Sequence, residues 1–167
     1  MVRKDTELID ELKNKFKLKA RIQSEKRIWA SIDSTKLIEI CEWLKENSYI
    51  HLSAISVTDW LEKGEYELTY HLWSYDNKIL ITIKTRINRN KPIISSVTPI
   101  WNESAQIHER ELHELFGVKF KGNTDLSQLF LEDWNDVPPF RKDFDWKDYV
   151  REKFYDAKNE REVHYYD

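Results

Sequence analysis

Two neighbouring runs of alternating residues constrain the fold of this sequence more than any other feature. In Glu65–Ser74, Tyr and Leu alternate with Glu, Thr, His and Trp, and in residues 79–87 isoleucine recurs at every second position but one. A period of two is typical of a strand that buries one face. The Tyr-Asp-Asn-Lys sequence between the two runs suits the turn of a hairpin. We therefore predict a sheet built around this hairpin.

Further helices and strands are predicted on both sides of the hairpin. Residues 6–17 carry apolar side chains at helical spacing, and so do residues 37–44, a second helix that Asp33 or Ser34 is suited to cap. Strands are predicted at 27–32, 49–58 and 93–97, and a third helix at 104–116. This order, with one more strand before the second helix left open, predicts an α+β fold. Its sheet is mostly antiparallel or mixed, with helices on one face.

The composition suits one domain, or one domain with a long tail. The chain has 167 residues, of which 40% are hydrophobic, enough for a real core. The net charge is −3 with both signs interspersed, and the only basic cluster lies at 13–21, so we expect no nucleic-acid partner. No apolar run approaches the roughly 18 residues of a membrane helix, and we see no signal peptide at the N-terminus. Cys41, the only cysteine, is expected to be buried, which favours a reducing cytoplasm.

The last third of the chain has a different character from the rest. It is rich in aromatic and charged residues but thin in aliphatic ones, and Pro138 and Pro139 interrupt any regular element. Residues 146–154 carry aromatic and apolar side chains that suit a short amphipathic helix. We therefore predict an α+β core domain at 1–122 and an extended C-terminal arm at 123–167. From roughly residue 134 to residue 167, the arm is expected to be disordered in the isolated subunit and to become ordered on a partner subunit.

The charged residues from 108 to 114, in the predicted helix at 104–116, resemble a metal-binding motif in their histidines and glutamates. His108 and His113 are five positions apart, which separates them by roughly 140° around a helix, so they do not share an ion as the two histidines of an HExxH motif do. A cluster of Glu109, Glu111, His113 and Glu114 leaves a stand-alone metal-dependent enzyme open as one alternative. The other alternative is a helix that carries ordinary ion pairs.

The sequence contains none of the common templates of an active site. It has no GxGxxG, Walker, GxSxG or CxxC motif, and one cysteine cannot hold an iron–sulfur cluster, which needs about four. We therefore predict no catalytic, cofactor-binding or metal-binding residue in this chain. Arg110 and Arg141, each flanked by charges, suit a subunit interface. Arg110 is expected to bind carboxylates or backbone carbonyls, either near residues 122–125 or on a partner.

The stretch 109–117 reads Glu-Arg-Glu-Leu-His-Glu-Leu-Phe-Gly, and it resembles the signature of the C subunit of complex I, the NADH:quinone oxidoreductase. The similarity continues through Phe120, Gly122, Asp125, Leu126, residues 132–134, and Arg141 to Phe144. Residues 52–55 and 66–72 also resemble the family. Complex I proteins usually have His-Pro where this chain has Asn123-Thr124, an aromatic residue and Asp at 113–114, and Leu at 140. At these positions the chain instead resembles the branch of the family found in energy-converting membrane-bound [NiFe] hydrogenases and related archaeal complexes.

The resemblance implies a fold of α-β-β-α-β-β-β type followed by the extended arm. It implies a non-catalytic accessory subunit in the cytoplasmic peripheral arm of a membrane-bound complex I-like respiratory assembly that translocates protons. The subunit would brace the large catalytic subunit, most simply that of a [NiFe] hydrogenase, and would reach the membrane only through its partners. Ni–Fe and iron–sulfur clusters are expected in the partner subunits and none in this chain. The alternative within the family is a true NADH or other donor:quinone oxidoreductase, or a sulfur-reducing relative.

The resemblance also marks residues of the signature as interface or structural positions. They are Glu109, Arg110, Glu111, His113, Glu114, Phe116, Gly117, Gly122, Asp125, Arg141, Lys142 and Asp143.

Overall fold

A computed structural model describes residues 5–155 of the chain. The start of the predicted core domain, residues 1–4, and the end of the predicted arm, residues 156–167, lie outside the described residues. The helices are α1 (Asp5–Phe16), α2 (Leu37–Glu46), α3 (Thr98–Phe116) and α4 (Trp146–Val150). The strands are β1 (Lys19–Ser24), β2 (Arg27–Ile32), β3 (His51–Trp60), β4 (Glu65–Ser74), β5 (Ile79–Asn88), β6 (Ile93–Ser95) and β7 (Lys119–Lys121).

Five strands form one mixed sheet in the order β1-β2-β5-β4-β3. The β2–β5 pair is parallel and the other three pairs are antiparallel. The predicted hairpin is the β4–β5 pair near the centre of this sheet, in register from Glu65 opposite Asn88 to Ser74 opposite Ile79. The predicted α+β class with a mostly antiparallel or mixed sheet is therefore confirmed.

One face of the sheet packs with the helices into a single core. The alternating Tyr and Leu residues of β4 and the isoleucines of β5 are buried, together with apolar stripes of α1, α2 and α3. The other face carries charged and aromatic side chains, such as Trp29, Lys84 and Arg86, which remain partly exposed. The period of two in the sequence is thus the period of burial in the sheet.

Three features of the fold differ from the sequence-based expectation. The strand that the sequence left open before α2 is β1. Its side chains are exposed or partly exposed, so no alternation of buried and exposed residues marks it in the sequence. Strand β7 has only three residues, and it pairs in parallel with β6. Helix α3 begins at Thr98 rather than at 104, because a kink with non-helical backbone at Trp101 and Asn102 joins two helical segments. The second segment is the helix that the sequence predicted.

Asp33, one of the two residues suited to cap the second helix, caps the short turn that leads into α2. Its carboxylate accepts a hydrogen bond of 2.9 Å from the amide of Thr35, in a 3-10 turn at Ser34–Lys36 that runs into the helix. No helix within residues 5–155 combines the length and the apolar character that crossing a bilayer requires.

Candidate functional site

The signature helix α3 holds the first part of the C-terminal arm against the domain. Gln106, Arg110 and Glu114 stand at four-residue spacing, which puts them on one face of the helix. These three side chains bind successive backbone groups of residues 125–131. We call residues 123–144 the strap, because most of their described polar contacts fix them to the core domain.

Arg110 and Gln106 bind carbonyl oxygens of the strap. The Arg110 Nε donates to the carbonyl of Ser127 at 3.1 Å, and its Nη2 donates to the carbonyl of Gln128 at 2.9 Å. The Gln106 amide donates to the carbonyl of Asp125. The partners of Arg110 are backbone carbonyls, as the sequence suggested, but they lie just beyond the 122–125 turn.

Glu114 binds the next three amides of the strap. Its carboxylate accepts hydrogen bonds from the amides of Leu129 at 3.2 Å, Phe130 at 3.0 Å and Leu131 at 2.7 Å. A carboxylate that accepts several backbone N–H groups fixes the turn in which those groups lie. Glu111 has a different role, since its carboxylate lies 3.9 Å from the His108 ring at the outer side of the helix.

Glu109 is fully buried and ties the start of α3 to the root of the strap. Its carboxylate accepts hydrogen bonds from the Ser96 hydroxyl at 2.7 Å, the Val97 amide at 2.7 Å and the Asn123 side-chain amide at 2.8 Å. Burial raises the pKa of Glu109, and these three donors act in the opposite direction. Gly122, at φ +100°, supplies the left-handed backbone that turns the chain into this contact.

His113 and Gly117 shape the end of α3. The His113 Nδ1 donates to the carbonyl of Val118 at 2.8 Å, and the amide of Gly117 donates to the carbonyl of His113 at 2.9 Å. Gly117 has φ +78°, which is the left-handed backbone typical of the residue that ends a helix. A Cβ at this position would lie only 3.0 Å from the Cγ of Pro138. Gly117 therefore allows both the turn and the close approach of the strap.

Phe116 lies between the core and the strap. Its ring packs edge-to-face with Tyr66 at 6.0 Å and with Phe140 at 5.8 Å between ring centroids. The amide of Phe140 donates to the carbonyl of Leu115 at 3.0 Å, and the Tyr66 hydroxyl donates to the carbonyl of Phe116 at 3.2 Å. The strap thus satisfies one of the carbonyls that the last turn of a helix leaves without an intrahelical partner.

The far end of the strap is bound by a buried ion pair. Asp59 and Arg89 are about 2% and 5% exposed at their side chains, and they form two hydrogen bonds of 2.8 and 3.0 Å. The same guanidinium forms two more with the Asp143 carboxylate, at 3.0 and 2.6 Å. Asp143 also forms two bonds of 3.0 Å with Arg141. The amide of Lys142 donates to Asp59 at 3.0 Å, so the Arg-Lys-Asp sequence is bound as a unit.

These charges shift the pKa of both carboxyl groups. The Arg141 and Arg89 guanidiniums hold the pKa of Asp143 well below its usual range. Burial raises the pKa of Asp59, but the bonds from Arg89 and from the Lys142 amide outweigh it, so the net shift is downward. Both carboxylates are therefore ionised at neutral pH.

Asp59 and Arg89 were not singled out from the sequence. Asp59 continues the buried phase of β3 after Ile55 and Val57, where an apolar residue is the rule. A carboxylate in that phase indicates a buried charge partner, but the predicted strand ended at residue 58. Arg89 follows β5 directly and gives no local signal, because its partners are 30 and 54 positions away.

The side chains of the metal alternative point to separate partners. Glu109 is enclosed by Ser96, Val97 and Asn123, whereas Glu114 faces the amides of residues 129–131. Within the part of the chain that the structure describes, no group of three or more His, Cys, Asp or Glu side chains is arranged to hold an ion. The contacts of these side chains position backbone segments.

Residues 145–155, which we call the terminal element, follow the strap. Asp145 caps α4 by accepting from the amides of Lys147 and Asp148 at 2.9 and 3.1 Å. Four rings, those of Trp134, Phe144, Trp146 and Tyr149, lie within 4.9–6.1 Å of one another between centroids. Trp146, Phe154 and Tyr155 nevertheless remain 46%, 51% and 72% exposed. The terminal element therefore presents uncovered aromatic surface.

Most of the chain matches a known protein family. The model of the respiratory-chain NADH dehydrogenase 30 Kd subunit matches residues 30–150. The chain is 37% identical to the C subunit of F(420)H(2) dehydrogenase from Methanosarcina mazei over 83% of its own length and 90% of the relative. It is 31% identical to the C 2 subunit of NADH-quinone oxidoreductase from Rhizobium meliloti over 71% of its length and 66% of that protein.

Two solved structures are similar to this one. A chain of the membrane-bound sulfane sulfur reductase, an archaeal respiratory membrane complex, superposes with a TM-score of 0.81 at 28% identity, covering 89% of this chain and 90% of that chain. The trypsin-resistant fragment of Nqo5 superposes with a TM-score of 0.64 at 21% identity, covering 72% of this chain and 98% of that chain. The second likeness shows the shared fold.

Proposed function

The chain belongs to the family of the respiratory-chain NADH dehydrogenase 30 Kd subunit, and from this premise we propose that it is a non-catalytic accessory subunit of a complex I-like oxidoreductase assembly. In this role it braces the large catalytic subunit in the peripheral arm, at the cytoplasmic face of the membrane. The membrane is reached through partner subunits, and the Ni–Fe and iron–sulfur clusters belong to those partners.

The observation that carries the proposal is the contrast between a fixed strap and an uncovered terminal element. The signature side chains Glu109, Arg110 and Glu114 bind backbone groups of the same chain, so they act as positioning groups. They lead the chain to Asp143, beyond which Trp146 is about half exposed and Tyr155 is largely exposed. Exposed aromatic residues are enriched where a soluble protein meets a partner.

The outer side of the strap adds to this surface. Phe130, Val137 and Phe140 are 62%, 50% and 56% exposed, although their backbones are near the domain. A rigid backbone that presents apolar side chains loses little conformational freedom on binding. The strap and the terminal element together suit a large, mainly apolar contact with the catalytic subunit.

The electron donor and electron acceptor differ among the assemblies in which this subunit could function. The departures at 113–114, 123–124 and 140 favour an energy-converting [NiFe] hydrogenase. A second candidate is an F(420)H(2) dehydrogenase-like assembly, favoured by the 37% identity that extends over 90% of the Methanosarcina relative. The remaining candidate assemblies are an NADH:quinone oxidoreductase and a sulfur reductase.

Purification of the assembly from its native membrane tests the proposal. A tagged full-length chain is expected to bring down a large catalytic subunit and iron–sulfur subunits, whose identity and whose activity with H2, F(420)H(2), NADH or sulfane sulfur distinguish the candidates. A matched chain truncated after Phe144 is expected to lose most of these partners. A chain that purifies alone with a stoichiometric metal or chromophore contradicts the proposal and favours the stand-alone enzyme.

A further inference from the structure

The open face of the sheet bears a groove that the strap and the terminal element do not reach. It lies across β1, β2 and β5, has a volume of about 260 Å³, and is lined by the side chains of Lys19, Arg21, Trp29 and Lys84 among others. The strand register explains the grouping, since Arg21 lies opposite Trp29 and Trp29 opposite Thr82. Side chains at paired positions share a face of a sheet.

Two of the three cations that line the groove have no carboxylate partner among the described residues, whereas the third, Lys84, has one. Arg21 and Lys84 lie 4.9 and 5.0 Å from the centroid of the Trp29 ring, and Lys84 is also paired with Glu67 at 2.9 Å. Among residues 5–155, Lys19 and Arg21 have no carboxylate at ion-pair distance. The groove therefore joins a partly buried indole ring to two exposed positive charges that lack an anion.

Strand β1 also forms one edge of the sheet. It pairs with β2 on one side only. Natural proteins cover such an edge or place lysines along it, as Lys19 is placed here. An extended segment of another chain that lies over this edge brings its side chains beside Lys19 and Arg21.

We propose that this groove docks an acidic extended segment of a neighbouring subunit in the assembly. Carboxylates of that segment pair with Lys19 and Arg21, and an apolar or aromatic side chain packs on Trp29, where Arg21 is held by its cation–π contact. This inference rests on the proposed function, because it requires that the chain have neighbouring subunits. It assigns a second contact surface on the sheet, separate from the strap and the terminal element.

An acidic protein segment fits this surface better than other polyanions. Glu65 and Glu67 lie on the same open face and pair with Arg86 and Lys84, so the face as a whole carries both signs. A nucleic-acid or anionic membrane surface favours a continuous basic patch. A short acidic segment, by contrast, can bind through the two unpaired cations, Lys19 and Arg21, and the ring of Trp29.

Charge reversal in the intact assembly provides the first test. The double variant Lys19→Glu/Arg21→Glu is expected to dissociate from the assembly at an NaCl concentration at least about twofold lower than the parent chain does. The reason is that the two introduced glutamates repel the carboxylates of the docked segment. The matched control is Lys78→Glu/Lys91→Glu, which makes the same charge change at exposed positions away from the groove. Unchanged thermal unfolding of the free variants separates docking from folding.

A photo-crosslinking residue at Ser31, an exposed position that lines the groove, provides the second test. The expected product joins this chain to an acid-rich peptide of another subunit of the assembly. Crosslinks to lipid or nucleic acid, or no crosslink in a chain that still co-purifies with its partners, overturn the docking inference and leave the proposed function intact. A parent chain that brings down no partner at all overturns both.

Discussion

The strap and the terminal element belong to the same predicted arm and have opposite relations to the domain. Both are richer in aromatic residues than the chain as a whole, and the predicted boundary at residue 123 placed them together. Yet Asp143, in the strap, is bound to a buried arginine, whereas Lys153, in the terminal element, pairs with Asp136 of the strap at 3.4 Å between two exposed side chains. The difference divides the arm into one part that the domain positions and one part that remains uncovered, which under the proposed function is available to a partner.

The physical reason for the difference is the kind of group that each part contacts. The strap supplies further hydrogen-bond partners to the buried Asp59–Arg89 pair and a donor to the carbonyl of Leu115 at the end of α3. The aromatic residues of the terminal element contact one another and two rings of the strap, those of Trp134 and Phe144. A segment held by buried charges has one position, while one held by exposed rings can adapt to a partner.

The largest effect is expected when the buried end of the strap is disrupted. Arg89→Ala leaves Asp59 buried without its cation, which is expected to lower the free energy of unfolding by about 3–5 kcal/mol. Urea unfolding of the free chain measures it. Arg27→Ala, which removes an exposed arginine from β2, is the control and is expected to change it by less than about 0.5 kcal/mol. Equal effects of the two variants would remove the basis for a fixed strap.

Two glycines sharpen the comparison at the contact between α3 and the strap. Gly117→Ala is expected to lower the free energy of unfolding by about 2–3 kcal/mol, since it combines a left-handed φ with a contact of 3.0 Å to Pro138. Gly64→Ala is the control, because Gly64 has φ +64° and nothing within 4 Å of its Cβ position. It is expected to cost about 1 kcal/mol. The difference between the variants, measured by thermal unfolding, reports the strap contact alone.

A smaller effect is expected at the middle of the strap. Glu114→Ala removes the acceptor of three backbone amides and is expected to lower the free energy of unfolding by about 1–2 kcal/mol. Amides 129–131 should lose their protection from hydrogen exchange. Glu111→Ala, which changes an outward carboxylate on the same helix, should leave these amides protected. Loss of protection in both variants would show that the helix, rather than the Glu114 carboxylate, holds the strap.

Acid is expected to release the strap from the domain only at low pH. Because the folded pKa of Asp143 lies below its unfolded value of about 3.9, its stabilisation is complete above that value and is lost as pH falls through the folded pKa. Burial gives Glu109 a raised pKa, so its contribution has the opposite sign and is lost as pH rises through its folded pKa. Acid titration of strap protection measures the release, and Asp143→Asn should remove this step. A release already complete near pH 5 contradicts the Asp143 contact.

The smallest effect on stability is expected from removing the terminal element. Truncation after Phe144 should change the free energy of unfolding of the free chain by less than about 0.5 kcal/mol, while it reduces assembly with partners. Truncation after Phe130, which also removes Asp143, should destabilise the free chain measurably. If both truncations leave stability unchanged, the whole arm depends on the partner, as the sequence alone suggested.

The elements that the sequence predicted well are those whose pattern reflects local burial. The β4–β5 hairpin follows from a period of two, because a one-residue slip would expose every Tyr and Leu of the buried face. Strand β1 was left open by the residue pattern, because none of its residues is buried. Its position depends on pairing with β2, which a local pattern does not record.

The candidate site was recovered only in part for the same reason. The resemblance marked Arg141 and Asp143, and the helical spacing of Arg110 and Glu114 could be read directly. Arg89, which binds Asp143, is 54 positions away along the chain. Side chains that are brought together by the fold carry no common spacing in the sequence, so their partnership becomes visible only in the structure.

Hydrogen exchange of the free chain tests the central claim most directly. We predict that the amides of residues 129–131, Phe140 and Lys142, which have partners in the domain, exchange at least about 100-fold more slowly than those of residues 151–155. The latter should gain protection only in the assembly. Strap amides that exchange as fast as those of the terminal element in the free chain, and slow down together with them on assembly, would contradict the account.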